Sequence, residues 1–417
     1  MYKHTYTRLH SLFLAASLLT LFTLILAGCG GGQRGSNPQS PGSATPTISS
    51  ATPTSVPTPT PTQIPPLPTP TRPAQPIVPF TLMHMLDQQH GWALTASSIL
   101  KTADGGQTWQ DVTPSKINAL IGAGTVFYNP LTAWVNITKP FGAIDKAFQL
   151  IHTTDGGQTW TTQNAQVNTP AIEILDTNFI NAREGWIEID EGSGMGQQAV
   201  GIVHTANGGA SWKLVSTSVN PPSGVGTIPA SGRKTGLTFA NSNTGWADVT
   251  TYGSNQDYVY VTHDGGISWI LQTLPPPIAK TRVMGGTTPP IIFGQEIVMP
   301  ALENNGFTLY LSHNGGTTWQ ANPVVLPAGQ RTIVDKDNMY VVDPTHAWAI
   351  DEQGVLYITT NGGQSWNSSS ILHNVSQFSF ISHTTGWAYS GPNQNVPTLL
   401  KTTDGGRSWS KVNYRIY

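Results

Sequence analysis

Hydrophobic positions fall into three regimes along the chain. Between Leu12 and Ala27 they form an uncharged, mainly apolar run, and from Gly30 to Pro79 they thin out into a Pro/Thr/Ser tract. From Phe80 onward they return as short alternating stretches broken by Gly, Asn and Pro, the pattern of antiparallel strands joined by turns. The end of the chain shows it well: Gln377–Ile381, Gly386–Tyr389, Thr398–Lys401 and Ser408–Val412 predict four consecutive strands. No stretch past Phe80 places apolar residues at i, i+3, i+4 and i+7, so no amphipathic helix is expected.

The turns between these strands repeat. Thr102-Ala-Asp104-Gly-Gly-Gln-Thr-Trp109 recurs with its acidic or amide residue at Asp155, Asn207, Asp264, Asn314, Asn361 and Asp404. Each copy carries a tryptophan five positions later: Trp109, Trp160, Trp212, Trp269, Trp319, Trp366 and Trp409. The steps between copies are 51, 52, 57, 50, 47 and 43 residues. A second element, Gly/Ala-Trp-x, precedes six of the seven turns, at Trp92, Trp134, Trp186, Trp246, Trp348 and Trp387. Together the two elements use all 13 tryptophans, leaving none for an isolated ligand pocket. Seven units of four short strands predict an all-β, seven-bladed propeller of four-stranded antiparallel blades over residues 80–417. The fifth unit departs from the pattern. Between Trp269 and Trp319 a Pro-rich stretch and Ile291–Ile297 replace the upstream tryptophan, so an irregular blade or an extended loop is expected there.

Composition fits this reading. Charged residues make up 10% of the 417, against about 25% in an average soluble domain. A net charge of -2 disfavours a nucleic-acid binder that works by neutralising phosphates. No cofactor is expected, nor a metal: one cysteine, Cys29, permits neither an intrachain disulfide nor a thiolate cluster.

That cysteine sits at Leu26-Ala27-Gly28-Cys29, after Lys3, Arg8 and the apolar run. A basic segment, an apolar segment and small residues before a cleavage point read as a secretory signal over residues 1–28. The last four residues resemble the bacterial lipobox, which implies cleavage before Cys29, diacylation of its thiol and an extracytoplasmic, membrane-anchored protein. The alternative is an uncleaved span, although the run is shorter than the roughly 20 residues a spanning helix needs. Residues 29–79 hold 14 of the 32 prolines from Gly30 onward and are expected to form a disordered, polyproline-biased spacer.

The repeated turn, Ser/Thr-x-Asp-x-Gly-x-Thr/Ser-Trp, resembles the Asp-box, or bacterial neuraminidase repeat, of sialidases, sortilin-like receptors and two-propeller xyloglucanases. Paired with the upstream Gly-Trp-Ala, it is more similar to the propellers of photosystem II stability and assembly factors. The resemblance implies that each box turns the third strand of a blade into the fourth. In such a turn the Asp or Asn side chain accepts backbone N–H groups, the glycines take positive φ, and the tryptophan is buried between blades. Asn at three of seven positions argues against a ring of calcium-binding carboxylates. His152, His204, His263 and His313 keep step with the repeat and read as strand or turn residues rather than metal ligands. The tryptophans read as packing residues, with glycan stacking as the alternative. Glu188, Asp190 and Glu191 read as a solvated loop, with cation binding or catalysis as the alternative.

Basic residues supply the candidate binding site. Arg233, Arg282 and Arg331 lie 31, 32 and 30 residues before their turns, with Lys234 and Lys280 beside two of them. All three arginines fall between the outer strand of one blade and the inner strand of the next, on the face expected to lie opposite the turns. They resemble by blade position the arginine patch that the assembly factors present to a partner protein, and guanidinium groups so placed suit carboxylates. The competing expectation is three solubilising loop residues. No catalytic residues are assigned: a sialidase needs a Tyr-Glu pair, an Asp and commonly Arg-Ile-Pro, and the last is absent. The expected protein is a monomeric, lipid-anchored interaction module that binds a protein or envelope ligand. A sialidase-like hydrolase or glycan-binding lipoprotein is the alternative.

Overall fold

The computed structural model describes residues 77–417 apart from 116, 118–119, 138–144, 172, 220, 222, 224, 251–257, 277–286, 304–305, 326–338 and 392–396. The signal segment, Cys29 and the spacer up to residue 76 lie outside the described residues.

The described chain folds into 29 strands and no helix. Blade 1 comprises β1 (Leu82–Met85), β2 (Gly91–Leu94), β3 (Ile99–Thr102) and β4 (Thr108–Asp111). Blade 2 is β5 (Leu120–Phe127), β6 (Ala133–Ile137), β7 (Asp145–Thr153) and β8 (Thr161–Ala171). Blade 3 is β9 (Glu173–Phe179), β10 (Gly185–Gly194), β11 (Gln197–Thr205) and β12 (Lys213–Thr217); blade 4 is β13 (Leu237–Phe239), β14 (Gly245–Asp248), β15 (Tyr258–Thr262) and β16 (Ile270–Thr273). Blades 5 to 7 follow as β17 (Ile291–Phe293) to β20 (Gln320–Val325), β21 (Met339–Val341) to β24 (Asn367–Ile371), and β25 (Val375–Phe380) to β28 (Ser410–Val412). Every blade pairs its strands in chain order and antiparallel, so the seven-bladed propeller expected from the repeat is what forms.

The fifth blade is a regular four-stranded sheet, with β17 and β18 (Glu296–Glu303) joined at Gly294-Gln295. The ring closes where blade 7 meets blade 1. Ser379 Oγ accepts the Met85 amide at 2.8 Å, and Tyr389 Oη accepts the Phe80 amide at 2.9 Å. The final strand, β29 (Arg415–Ile416), adds in parallel to the outer edge of β4.

One packing rule joins the blades. The tryptophan on a second strand lies against the inner strand of the next blade: Trp134 stacks on Phe179 at 3.7 Å, Trp186 on Phe239 at 3.8 Å and Trp348 on Phe380 at 3.7 Å. Within its own blade each of these phenylalanines pairs with the residue just before a tryptophan, Phe179 with Gly185, Phe239 with Gly245 and Phe380 with Gly386. A Cβ on any of the three would stand 2.3–2.6 Å from the ring, closer than carbon atoms approach. Where alanine occupies that position, at Ala133 opposite Phe127, the corresponding stack of Trp92 on Phe127 opens to 5.5 Å. At the four positions that face a phenylalanine, the Gly/Ala choice before the tryptophan thus goes with how closely the ring is stacked.

Candidate functional site

The seven repeated turns each join a third strand to a fourth. In the first, Asp104 Oδ1 accepts the Thr102 hydroxyl at 2.9 Å and the amides of Gln107 and Thr108 at 3.0 and 2.9 Å; Oδ2 accepts the Thr108 hydroxyl at 2.6 Å. Thr102 Oγ1 in turn accepts the Gly106 amide. Both glycines of every copy have φ between 66° and 91°, a region that side chains rarely tolerate. Asn207, Asn314 and Asn361 keep the Oδ1 contacts with the hydroxyl two residues before and the amide four residues after, and reverse one bond: their Nδ2 donates to Ser211, Thr318 and Ser365 instead of accepting from them. The hydroxyl serves either polarity, so the amide replaces the carboxylate without leaving a polar group unmatched. Hydrogen bonds from Thr159 and from Ser408 hold Asp155 and Asp404 well below the usual carboxylate range, at about 2.

These turns also accept bonds from the preceding blade. Indole Nε1 of Trp134 donates to the Gly208 carbonyl at 2.9 Å, Trp186 to Gly265 at 2.9 Å, Trp348 to Gly405 at 2.8 Å and, across the seam, Trp387 to Gly105 at 3.0 Å. Blade 5 carries Val298 at the corresponding position of its second strand. There the buried Asn322 of the outer strand β20 donates Nδ2 to the Gly362 carbonyl at 2.8 Å and takes over the missing bond.

The four histidines divide. His152 and His204 pair across strands with Trp134 and Trp186 and cover their rings at 4.6 and 4.8 Å. Lys101 and Lys401 hold the same register over Trp92 and Trp387, at 5.2 and 4.6 Å, where the ring faces attract a cation. His263 and His313 are exposed beside their turns. None of the tryptophans is exposed, and seven of them are less than 2% accessible.

The acidic cluster overturns the expectation of a solvated loop. Glu188, Asp190 and Glu191 lie on β10 and are buried, Glu188 completely. Strand β10 continues well beyond Trp186, and the face that carries Trp186 toward blade 4 carries Glu188 and Asp190 as well. Asp190 Oδ1 accepts the Gly192 amide, and its Oδ2 accepts Ser193 and Gln198; Glu191 accepts the Thr217 hydroxyl at 2.6 Å.

Opposite this face lies Lys234, and here too the structure corrects the sequence reading. Lys234 is 1% exposed, so its ammonium does not reach solvent or a surface ligand. Its Nζ donates to the carbonyls of Gln198, Ser231 and Gly232 at 2.8, 2.9 and 3.2 Å. Burial lowers its pKa to about 8 even though Glu188, Asp248 and Asp190 pull the other way. Asp248, also buried, accepts the amides of Thr235 and Gly236, so the connection into blade 4 is anchored on both sides of Lys234.

Arg233 rides on that anchored connection. Its backbone exchanges two hydrogen bonds with Thr250, at 2.8 and 2.7 Å, and its side chain is half-buried. Thr250 follows the end of β14 remote from Gly245, whereas the repeated turn of blade 4 abuts the Gly245 end. Arg233 is thus at the strand end opposite the turns. Lys280, Arg282 and Arg331 lie outside the described residues.

The arrangement defines a seven-bladed β-propeller whose blades are keyed through turn carbonyls and stacked rings. No protein-family model matches the chain. Among curated proteins it is 23% identical over 279 residues to the chloroplastic photosystem II stability/assembly factor HCF136 of Arabidopsis thaliana. That match takes in 63% of this chain and 62% of HCF136, so the chain spans less than two thirds of that relative's length. Among solved structures it is similar to YCF48 bound to a D1 peptide, with TM-score 0.52, 19% identity and coverage of 79% of this chain and 93% of the other. YCF48 from Cyanidioschyzon merolae gives TM-score 0.52, 19% identity and coverages of 79% and 96%. The GH74 xyloglucanase from Xanthomonas campestris gives TM-score 0.53, 13% identity and coverages of 80% and 53%. These structural likenesses establish the propeller fold.

Proposed function

We propose that this protein is a binding platform of the assembly-factor kind, a monomeric propeller that takes an extended protein segment on the face bearing Arg233. The observation that carries this reading is the anchoring of Arg233 at the strand end away from the repeated turns. Arg282 and Arg331 occupy matching positions in the sequence of the next two units, which would extend the same arc. Distant similarity to HCF136, and to a YCF48 seen with a D1 peptide, favours a peptide ligand. Lipidation of Cys29 would tether the platform outside the cytoplasmic membrane, and the repeated turns are best read as Asp-boxes.

Catalysis is the weaker reading. A glycosidase needs two carboxylates facing a shared cleft. The densest group of described carboxylates is buried, with Glu188, Asp190, Asp176 and Asp248 in the wall between blades 3 and 4 and Glu191 on the other face of β10. The test uses the full chain and short synthetic peptides with acidic side chains and a free C-terminal carboxylate, read by fluorescence anisotropy. Micromolar binding to some of them is expected, weakened at least tenfold in an Arg233→Ala, Arg282→Ala, Arg331→Ala triple variant. Binding unaltered by the triple change would overturn the reading, as would turnover of a fluorogenic glycoside. Loss of palmitate labelling in Cys29→Ala tests the tether.

A further inference from the structure

The slots between neighbouring blades are not filled alike. In blades 2, 4, 5 and 6 a polar side chain near the start of the outer strand reaches a turn carbonyl of the next blade: Gln163 to Gly208, Gln272 to Gly316, Asn322 to Gly362, and Ser369 to Gly406. Each stands three residues after its turn tryptophan. Blades 1, 3 and 7 carry valine at that position, Val112, Val215 and Val412. The Val112 carbonyl accepts Trp160 Nε1 at 2.8 Å, and the Gly156 carbonyl of blade 2 is met only distantly, by Lys101 Nζ at 3.4 Å.

Between blades 1 and 2 lies a groove of about 900 Å³. Its lining includes Lys101, Gln110, Asp111, Thr113, Gln158 and the half-buried indole of Trp160. That volume lies within the range of small-molecule sites, about 300–1,000 Å³. Asp111 uses Oδ1 for the amide and hydroxyl of Thr113, while Oδ2 has only a 3.4 Å contact with Ser98. Lys101, held over Trp92, makes one long bond and has further N–H donors to offer. Gln110 and Gln158 are exposed. One ammonium faces two carboxylates, Asp111 and Asp155, so the groove offers no positive excess to an anion. What it offers is donors and acceptors interleaved beside an indole, which matches hydroxyl groups that donate and accept in turn on an apolar ring face.

We propose that this groove binds a neutral saccharide. It lies between blades 1 and 2, whereas Arg233 belongs to blade 4, and neither proposal depends on the other. Isothermal titration of the full chain with cellotetraose and with N-acetylchitotetraose tests it. At least one of the two is expected to bind, and the Lys101→Met, Gln110→Ala double variant should weaken that binding about tenfold or more, the scale of one lost hydrogen bond or slightly over. Gln158→Ala, at an exposed turn position, provides the same test should the double change disturb blade 1. Arg233→Ala should leave the affinity unchanged. No binding of either saccharide, or binding that survives both groove variants undiminished, would overturn the assignment.

Discussion

Trp186 and Phe239 belong to different blades, yet their rings lie face to face, 3.8 Å apart and within 5° of parallel. The same indole donates to the Gly265 carbonyl of blade 4, so one side chain supplies both the packing and the hydrogen bond of that joint. Truncating it should leave a cavity and an unmatched, partly buried carbonyl together. Trp186→Ala is expected to cost at least the roughly 3–5 kcal/mol of a large core truncation, measured by urea unfolding.

The glycine before such a tryptophan is predicted to be sterically required. Gly386→Ala would set a Cβ 2.3 Å from the Phe380 ring and should cost about 1–3 kcal/mol, in the range of an overpacked core. Adding Phe380→Leu should recover part of that loss. A pair of changes whose effects simply add would refute the steric account.

Asparagine should substitute for aspartate in the repeated turns at little cost in neutral solution, since Asn207 already shows the reversed bond. The two differ in acid. Asp155 and Asp404 titrate at about 2 in the folded protein, below their unfolded value near 3.9, so their contribution is present above pH 4 and drains away as pH falls toward 2. A variant with Asn at both positions should have a shallower loss of thermal stability over that window than the parent.

Asn322 is predicted to be the least replaceable residue of blade 5's outer strand. Asn322→Ala leaves the Gly362 carbonyl without its 2.8 Å donor and should cost about 1–3 kcal/mol. Asn322→Asp should be worse at neutral pH, because it sets a carboxylate oxygen against that carbonyl. Equal melting temperatures for the two variants would contradict this.

Lys234 gives a pH signature of opposite slope to the turn aspartates. Its folded pKa, about 8, lies below its ordinary value of 10.5, so between those limits the unfolded chain holds more protons. Stability relative to a Lys234→Met variant should therefore rise as pH increases from 8 toward 10.5. Denaturant midpoints of the two proteins across that interval provide the check.

The ring was legible in the sequence because each unit repeats one piece of turn chemistry, and the residues of that turn act mostly within it. The rings that complete each joint were less visible, although a signal existed. Phe127, Phe179, Phe239 and Phe380 each stand six residues before the Gly or Ala that precedes a tryptophan. Glu188 and Lys234 were misread for a physical reason. The acidic residues after Trp186 read as a solvated loop, but β10 continues through them, and a propeller blade is covered on both faces by its neighbours. Alternation there separates two interiors, and only the structure shows that one of them holds charge.

Each blade is built from consecutive residues, so nearly all strand pairing is local, whereas the bonds at the seam join Met85 to Ser379 and Gly105 to Trp387 across almost the whole ring. Closing a loop of that length costs chain entropy that no single blade has to meet. Blades can therefore assemble in the order of synthesis, each one templating its successor, and the circle is completed only after the C-terminal strand has emerged to lie along β4.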